Sequence, residues 1–279
     1  MSVVLPLIVT GVSTVFPAAL QLPLLPDTLC LRYRFYPGDT LEYRIEAQDS
    51  ILIESQAPLL RERYETLLLV CDSVGADGTF WLRFIPGAFL ARERTDTLTS
   101  FRSESPCQHR IVVLQTDSFG QRLKGGSSEQ APTVCPGGVL QLPFLLPLSP
   151  RCVRIHESWL IQDSLELWEN ATPAPRFTRT SLLRLFPRKD TLGYRCADVH
   201  HVTTGKGWFV RDSTLSVHGI VNAFGRLLLS EEGIPVWAYI TEEIRLGLWI
   251  NGRLHEGLHY GNVFFRLQAR RPAQKPKAP

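Results

Sequence analysis

A chain of 279 residues is long enough for one large domain or two smaller ones. Apolar residues make up 44% and charged residues 20%, which excludes wholesale disorder. Thirty Lys and Arg against 27 Asp and Glu leave a net charge of +3 with both signs spread along the chain, so no electrostatic footprint for nucleic acid is present.

Residues 1–26 carry no charge, and the first basic residue is Arg32. This apolar stretch, with small residues at Ala18 and Ala19, is signal-like but lacks a positively charged start. Pro6, Pro17, Pro23 and Pro26 divide it into pieces too short to span a bilayer, so no transmembrane span is expected. The expectation is export to the periplasm or cell envelope; the competing reading is an apolar strand packed on the core. Cys30, Cys71, Cys107, Cys135, Cys152 and Cys196 form an even set that an oxidising compartment would let pair. Cys107 and Cys135 flank a Gly/Ser-rich segment as candidate partners, and small buried apolar residues are the alternative role for the set.

From residue 27 onward, short alternating segments are punctuated by Gly, Pro, Asp and Asn. Leu31–Phe35 and Leu41–Ile45 alternate around Pro37-Gly38-Asp39, which predicts a hairpin. Pro58–Val70 is the best helical candidate, with Leu59, Leu60, Tyr64, Leu67 and Leu68 roughly on one face. Asp77-Gly78 marks a tight turn before Phe80–Ile85, and Ile111–Thr116 follows as a further strand. Gly125-Gly126-Ser127-Ser128 reads as a flexible loop, and Leu142–Leu148 as an apolar crossover bounded by prolines. Strand signals recur at Ser158–Leu167, Thr191–Val202, Thr214–His218 and Pro235–Ile244, and Asn251-Gly252 predicts another two-residue turn.

Gln48-Asp49-Ser50 recurs as Gln162-Asp163-Ser164, and Thr66-x-Leu68-Leu69 recurs at the same offset as Thr180-x-Leu182-Leu183. The second copy, Arg176–Thr180, is rich in β-formers, which favours a strand over a helix for both. The expected fold is all-β: two related antiparallel β-meanders forming a sandwich or partly open barrel. Residues 27–120 and 150–268 would be the halves, 121–149 the loop and Leu/Pro crossover, and 269–279 a disordered tail.

The order of landmarks supports a resemblance. Pro37-Gly38-Asp39-Thr40-Leu41-x-Tyr43 is followed by Asp77-Gly78-Thr79, Asp117-Ser118-Phe119-Gly120, and a Leu-Pro segment leading into Glu157-Ser158-Trp159. Gly193-Tyr194-x-Cys196-Ala197 and Gly225-Arg226-Leu227-Leu228 close the series. Over residues 31–245 this resembles a loosely defined group of uncharacterised exported bacterial β-rich envelope proteins. The resemblance implies a β-rich envelope protein, of a half-barrel kind seen in lipid-handling periplasmic carriers, and brings no catalytic residues.

One motif could carry chemistry. His255-Glu256-Gly257-Leu258-His259 matches the HExxH pattern, in which two histidines one helical turn apart bind zinc and the glutamate activates water. Gly252, Gly257 and Gly261 oppose the required helix, and no Asp, Glu, His or Cys follows His259 as a third ligand, leaving an upstream residue such as His218. In a strand, His255, Gly257 and His259 would share one face and Glu256 the other. His200 and His201 would point to opposite faces and are expected at the surface. Gly205-Lys206-Gly207 lacks a phosphate-loop frame, Ser158 and Ser213 lack a nucleophile elbow, and Asn170-Ala171-Thr172 fits a glycosylation sequon. The aromatic residues read as core, with an aromatic-lined cavity as the alternative. The expectation is therefore a non-enzymatic structural or binding component of a bacterial cell envelope, without cofactor, whose partner is an envelope protein or an apolar ligand. A carrier of an apolar ligand between curved sheets and a zinc-dependent hydrolase at His255, Glu256 and His259 are the alternatives.

Overall fold

The computed structural model describes residues 27–54, 56–104, 111–127, 145–166, 176–212 and 215–273. Strands β1 (Thr28–Leu29), β2 (Thr40–Ile53), β3 (Leu59–Val74), β4 (Phe80–Arg94), β5 (Thr99–Arg102), β6 (Val112–Thr116) and β7 (Arg122–Ser127) form the first half. The second half holds β8 (Val153–Arg154), β9 (Ser158–Glu166), β10 (Arg176–Thr191), β11 (Tyr194–Asp212), β12 (Leu215–Ser230), β13 (Pro235–Ile250) and β14 (Arg253–Arg271). The all-β expectation holds, and Pro58–Val70 lies almost wholly within β3 rather than in a helix.

Twelve strands make one antiparallel sheet in the order β7-β6-β4-β3-β2-β14-β13-β12-β11-β10-β9, with β5 beside β4. Each half is thus a meander, and the β14–β2 ladder joins them into one continuous surface. The sheet curls until Cα atoms of its outer strands β7 and β9 come within 8 Å, yet among the described residues no ladder joins them. The result is an open barrel. The two-residue turn predicted at Asn251-Gly252 sets the β13–β14 register, with φ values of 51° and 76°, a type I′ pattern that matches strand twist, whereas Asp77-Gly78 lies in a longer loop, residues 75–79, between Val74 and Phe80.

One face of the sheet is core. Leu41, Tyr43, Ile45, Leu67, Leu69, Leu82, Phe84, Leu227, Ala238, Ile240, Val263 and Phe265 are buried along alternate positions of their strands. Two segments seal the lower end of this face. Leu31, Tyr33 and Phe35 from one, and Leu145, Leu146 and Leu148 from the other, join the same core cluster. Tyr33 donates from its hydroxyl to the Leu146 carbonyl (3.1 Å) and from its amide to Ser118 (2.7 Å), while Arg34 N donates to Gly233 O (3.0 Å). Gly120 permits this approach: at φ 76°, a Cβ there would stand 2.5 Å from the Tyr33 ring and 2.6 Å from Leu146 O.

Several expectations need correction. Leu31–Phe35 alternates in burial but pairs in no ladder, because its amides bond to turn carbonyls at the base of the sheet. The predicted hairpin around Pro37-Gly38-Asp39 therefore has only one strand arm. Gly125, Gly126 and Ser127 are not loop but part of β7, paired with Leu114, Val113 and Val112. Residues 269–271, assigned to the tail, extend β14 by pairing Ala269, Arg270 and Arg271 with Glu42, Leu41 and Thr40. Cys30 bonds to Cys152, tying the two plug segments beside the β1–β8 ladder, and Cys71 and Cys196 are buried free thiols. Burial pushes these two thiols up to about 12 and about 11. Residues 1–26, Cys107, Cys135, Leu142–Phe144, Asn170 and Ser213 lie outside the described residues.

Candidate binding site

The HExxH segment lies in β14, where an extended chain rises about 3.4 Å per residue. The Cα atoms of His255 and His259 are then roughly 13 Å apart, too far for both imidazoles to reach one ion. They share the core-facing side, while Glu256 is exposed on the other. His218 is exposed on β12. Among the described residues, no three His, Cys, Asp or Glu side chains are grouped to hold a metal.

His259 instead enters a buried belt of polar groups. Adjacent strands place Arg61, Asp49, Gly261, Glu242, Ala223, Thr203 and Ser181 in one register row on the core-facing side. Asp49 accepts from Arg61 Nε (2.9 Å), Arg63 Nε (2.8 Å) and His259 Nε2 (3.1 Å), and Arg63 also binds Glu65. Burial alone would raise the Asp49 carboxyl, but the His259 hydrogen bond and the two guanidiniums overcome it and hold the group well below the usual carboxylate range. Across from it, burial pushes Glu242 up to about 7, with Asp49 adding to the rise and His259 and Arg63 opposing it. Among the described residues, Glu242 Oε1 has no hydrogen-bond partner. Gly261 keeps the gap open, since a Cβ there would lie 3.3 Å from Glu242 Cγ and 3.5 Å from Asp49 Oδ1.

The far end of the belt is uncharged. Ser181 Oγ and Thr203 Oγ1 lie 2.9 Å apart, and His201 Nδ1 lies 3.1 Å from Thr203 Oγ1. Burial, reinforced by Arg179 and His200, lowers His201 to about 4. His200 and His201 do face opposite ways, but only His200 is at the surface, because β11 turns His201 onto the core side. Gly225 is obligatory beside it: a Cβ would stand 2.2 Å from Tyr239 O and 2.6 Å from His201 Nε2. Asp49, Arg63, Glu242, His201 and His259 are all buried, and Asp49 and Arg61 also line a cavity of about 320 Å³.

Accessible surface lies on the opposite side of the same strands. A cavity of about 1490 Å³ runs across their upper ends. Leu52, Leu258, Arg245, Ile220, Lys206 and Thr178 form one register row along it, on six neighbouring strands. Leu254 and His218 add to the wall, and Glu54 and Glu256 stand at the β2–β14 end. Apolar side chains thus alternate with the cations Arg245 and Lys206, while Gly207, Gly219, Gly247 and Gly257 thin the sheet between them. Such a trough can shelter an apolar chain, and Lys206 can pair an anionic head, while Arg245 is held by Glu243 (2.8 Å). Its volume exceeds the roughly 300–1,000 Å³ of ordinary small-molecule clefts.

Of the belt and the trough, the sequence singles out for chemistry only His201, Lys206, His218, Glu256 and His259, and not their grouping. The belt had one local signal: Arg61, Arg63 and Glu65 repeat with period two immediately before Leu67, Leu69 and Cys71, and so must share their face.

No protein-family model matches the chain, and no curated protein does. Among solved structures, one of lipovitellin describing lipid–protein interactions aligns over 88% of this chain at 12% identity, with a TM-score of 0.44. The chain spans 27% of the length of that lipovitellin chain. An outer membrane channel from Pseudomonas putida F1 aligns over 85% of this chain and 97% of its own, at 8% identity and a TM-score of 0.27. Similarity this weak carries no argument about what the chain does.

Proposed function

We propose that the protein is a non-enzymatic binding protein of the cell envelope that takes an amphipathic ligand, an apolar chain with an anionic head, in the trough across β2, β14, β13, β12, β11 and β10. The observation that carries this is the single row Leu52, Leu258, Arg245, Ile220, Lys206, in which exposed and half-buried apolar side chains and cations line one cavity. Exposed apolar surface of this kind is stabilised when a ligand covers it, at about 25 cal/mol per Å². The cations fix which end of the ligand sits where. An exported location is supported by the Cys30–Cys152 bond, which needs an oxidising compartment to persist.

Titration with a fluorescent long-chain fatty acid and its methyl ester tests the reading. The acid should bind more tightly than the ester. Leu258→Glu and Ile220→Glu should each weaken binding about tenfold or more, the loss of roughly 1.4 kcal/mol. Lys206→Glu should remove the preference for the acid. No saturable binding, or full binding by Leu258→Glu, refutes the proposal.

A further inference from the structure

The face that carries the trough continues downward as a second surface with a different pattern. Four register rows cross β9, β10, β11 and β12 there: Ser158, Arg184, His200, Arg226; then Leu160, Leu182, Val202, Phe224; then Gln162, Thr180, Thr204, Asn222; then Ser164, Thr178, Lys206, Ile220. The second row is apolar on all four strands, and its residues are 62%, 51%, 61% and 55% exposed. Unpaired apolar rows on the outside of a sheet are unfavourable unless something covers them. No position in the four rows is acidic. Arg184 and Lys206 stand exposed on either side of the apolar row; of the carboxylates bordering the rows, Asp198 is buried and bonded to Arg226 (2.6 Å), and Glu166 pairs in register with Arg176 one row beyond Ser164.

We propose that this face docks the protein onto an anionic lipid surface, with Leu160, Leu182, Val202 and Phe224 entering below the headgroups and Arg184 and Lys206 pairing with them. The size of the patch favours a lipid occupant. Four strands at about 4.8 Å and four rows at about 6.8 Å cover roughly 500 Å². That is below the ~800 Å² per partner of a stable protein–protein interface. A lipid surface requires less, since a few apolar side chains and flanking cations suffice for peripheral attachment. Ile220 and Lys206 belong to both this face and the trough, so a docked molecule would hold the trough against the bilayer; the docking itself does not rest on the ligand reading.

Flotation of the full chain with vesicles tests it, using phosphatidylcholine alone and phosphatidylcholine mixed with phosphatidylglycerol. The protein should float with the mixed vesicles, less so as salt is raised, and poorly with phosphatidylcholine alone. Leu182→Asp and Val202→Asp should reduce partitioning at least tenfold, Val202→Thr by less, and Arg184→Glu should abolish the preference for phosphatidylglycerol. Fatty-acid binding without vesicles should survive Val202→Asp, which shows that the variant is folded. Flotation that is absent in the wild type, or unchanged in both Val202→Asp and Val202→Thr, overturns the proposal. So does a dimer on size exclusion that Val202→Asp splits, since a second copy would then own the face. Loss of fatty-acid binding with flotation retained would refute the trough and leave the docking face standing.

Discussion

Glu242 offers the sharpest test of the buried belt. Its carboxyl is 3% exposed, and burial raises it from 4.5 to about 7. A group whose native pKa is raised favours the fold most when protonated. Its contribution is therefore complete below about pH 4.5 and is lost as pH rises through about 7. The difference of roughly 2.5 units, at 1.36 kcal/mol each, amounts to about 3 kcal/mol at pH 8. Glu242→Gln keeps the shape of the side chain and removes its titration. The variant should then match the wild type at pH 4.5 and exceed it by about 3 kcal/mol at pH 8, a gain in melting temperature on the order of 5–10 °C. Urea unfolding of both proteins at a series of pH values between 4.5 and 8 measures the difference directly. A difference that stays constant across that range would refute the assignment of the cost to ionisation of Glu242.

His201 should act with the opposite sign: its lowered value of about 4 means that its contribution, complete above pH 6.5, is lost as pH falls toward 4, by about 3 kcal/mol, so the difference between wild type and His201→Asn should change by that amount in a urea series extended to pH 4. Asp49→Asn leaves Arg61 without its counter-charge and Arg63 with Glu65 alone, and should cost about 3–5 kcal/mol, whereas Asp72→Asn, at the exposed pair with Arg83, should cost no more than about 1 kcal/mol. Thermal melting separates the two. Cys30 and Cys152 are 122 positions apart, so reduction or Cys152→Ser frees a long loop and should cost about 2–5 kcal/mol in a melt with and without reductant.

Local patterning exposed the strands and turns, because alternation and dipeptides such as Asn251-Gly252 act over a few residues. It did not expose which face is inside. In Leu59–Cys71 the eye favours Leu60 and Tyr64 as buried and Arg61, Arg63 and Glu65 as solvated. The structure shows the reverse, with Leu60 and Tyr64 exposed and Arg63 buried, since the phase is set by Leu67, Leu69 and Cys71 further along. The partners that make burial tolerable come from elsewhere: Asp49 lies 12 and 14 positions away, and His259 lies 210 from Asp49. The trough was hidden for the same reason, as its row takes one residue from each of six strands. Leu31–Phe35 shows the converse error: its alternation reports one-sided burial, which a segment bonded to turns can have without any ladder.

Glu242 and His201 together yield a prediction that neither yields alone. They sit on β13 and β11, about 12 Å apart across β12, and neither contributes to the other's shift, so their effects should add. Between pH 4.5 and 6.5, each unit of rise costs about 1.4 kcal/mol at Glu242 and restores the same amount at His201. The two slopes cancel, and this pair leaves the wild type with a flat profile over that interval. Each single variant then exposes the slope of the group that remains. Glu242→Gln should become more stable as pH rises from 4.5 to 6.5, and His201→Asn less stable, both by about 2.7 kcal/mol over the interval. The double variant should return to a flat profile. Equal slopes in the two single variants, or a slope in the double variant steeper than in either, would show that other buried groups of the belt govern its titration.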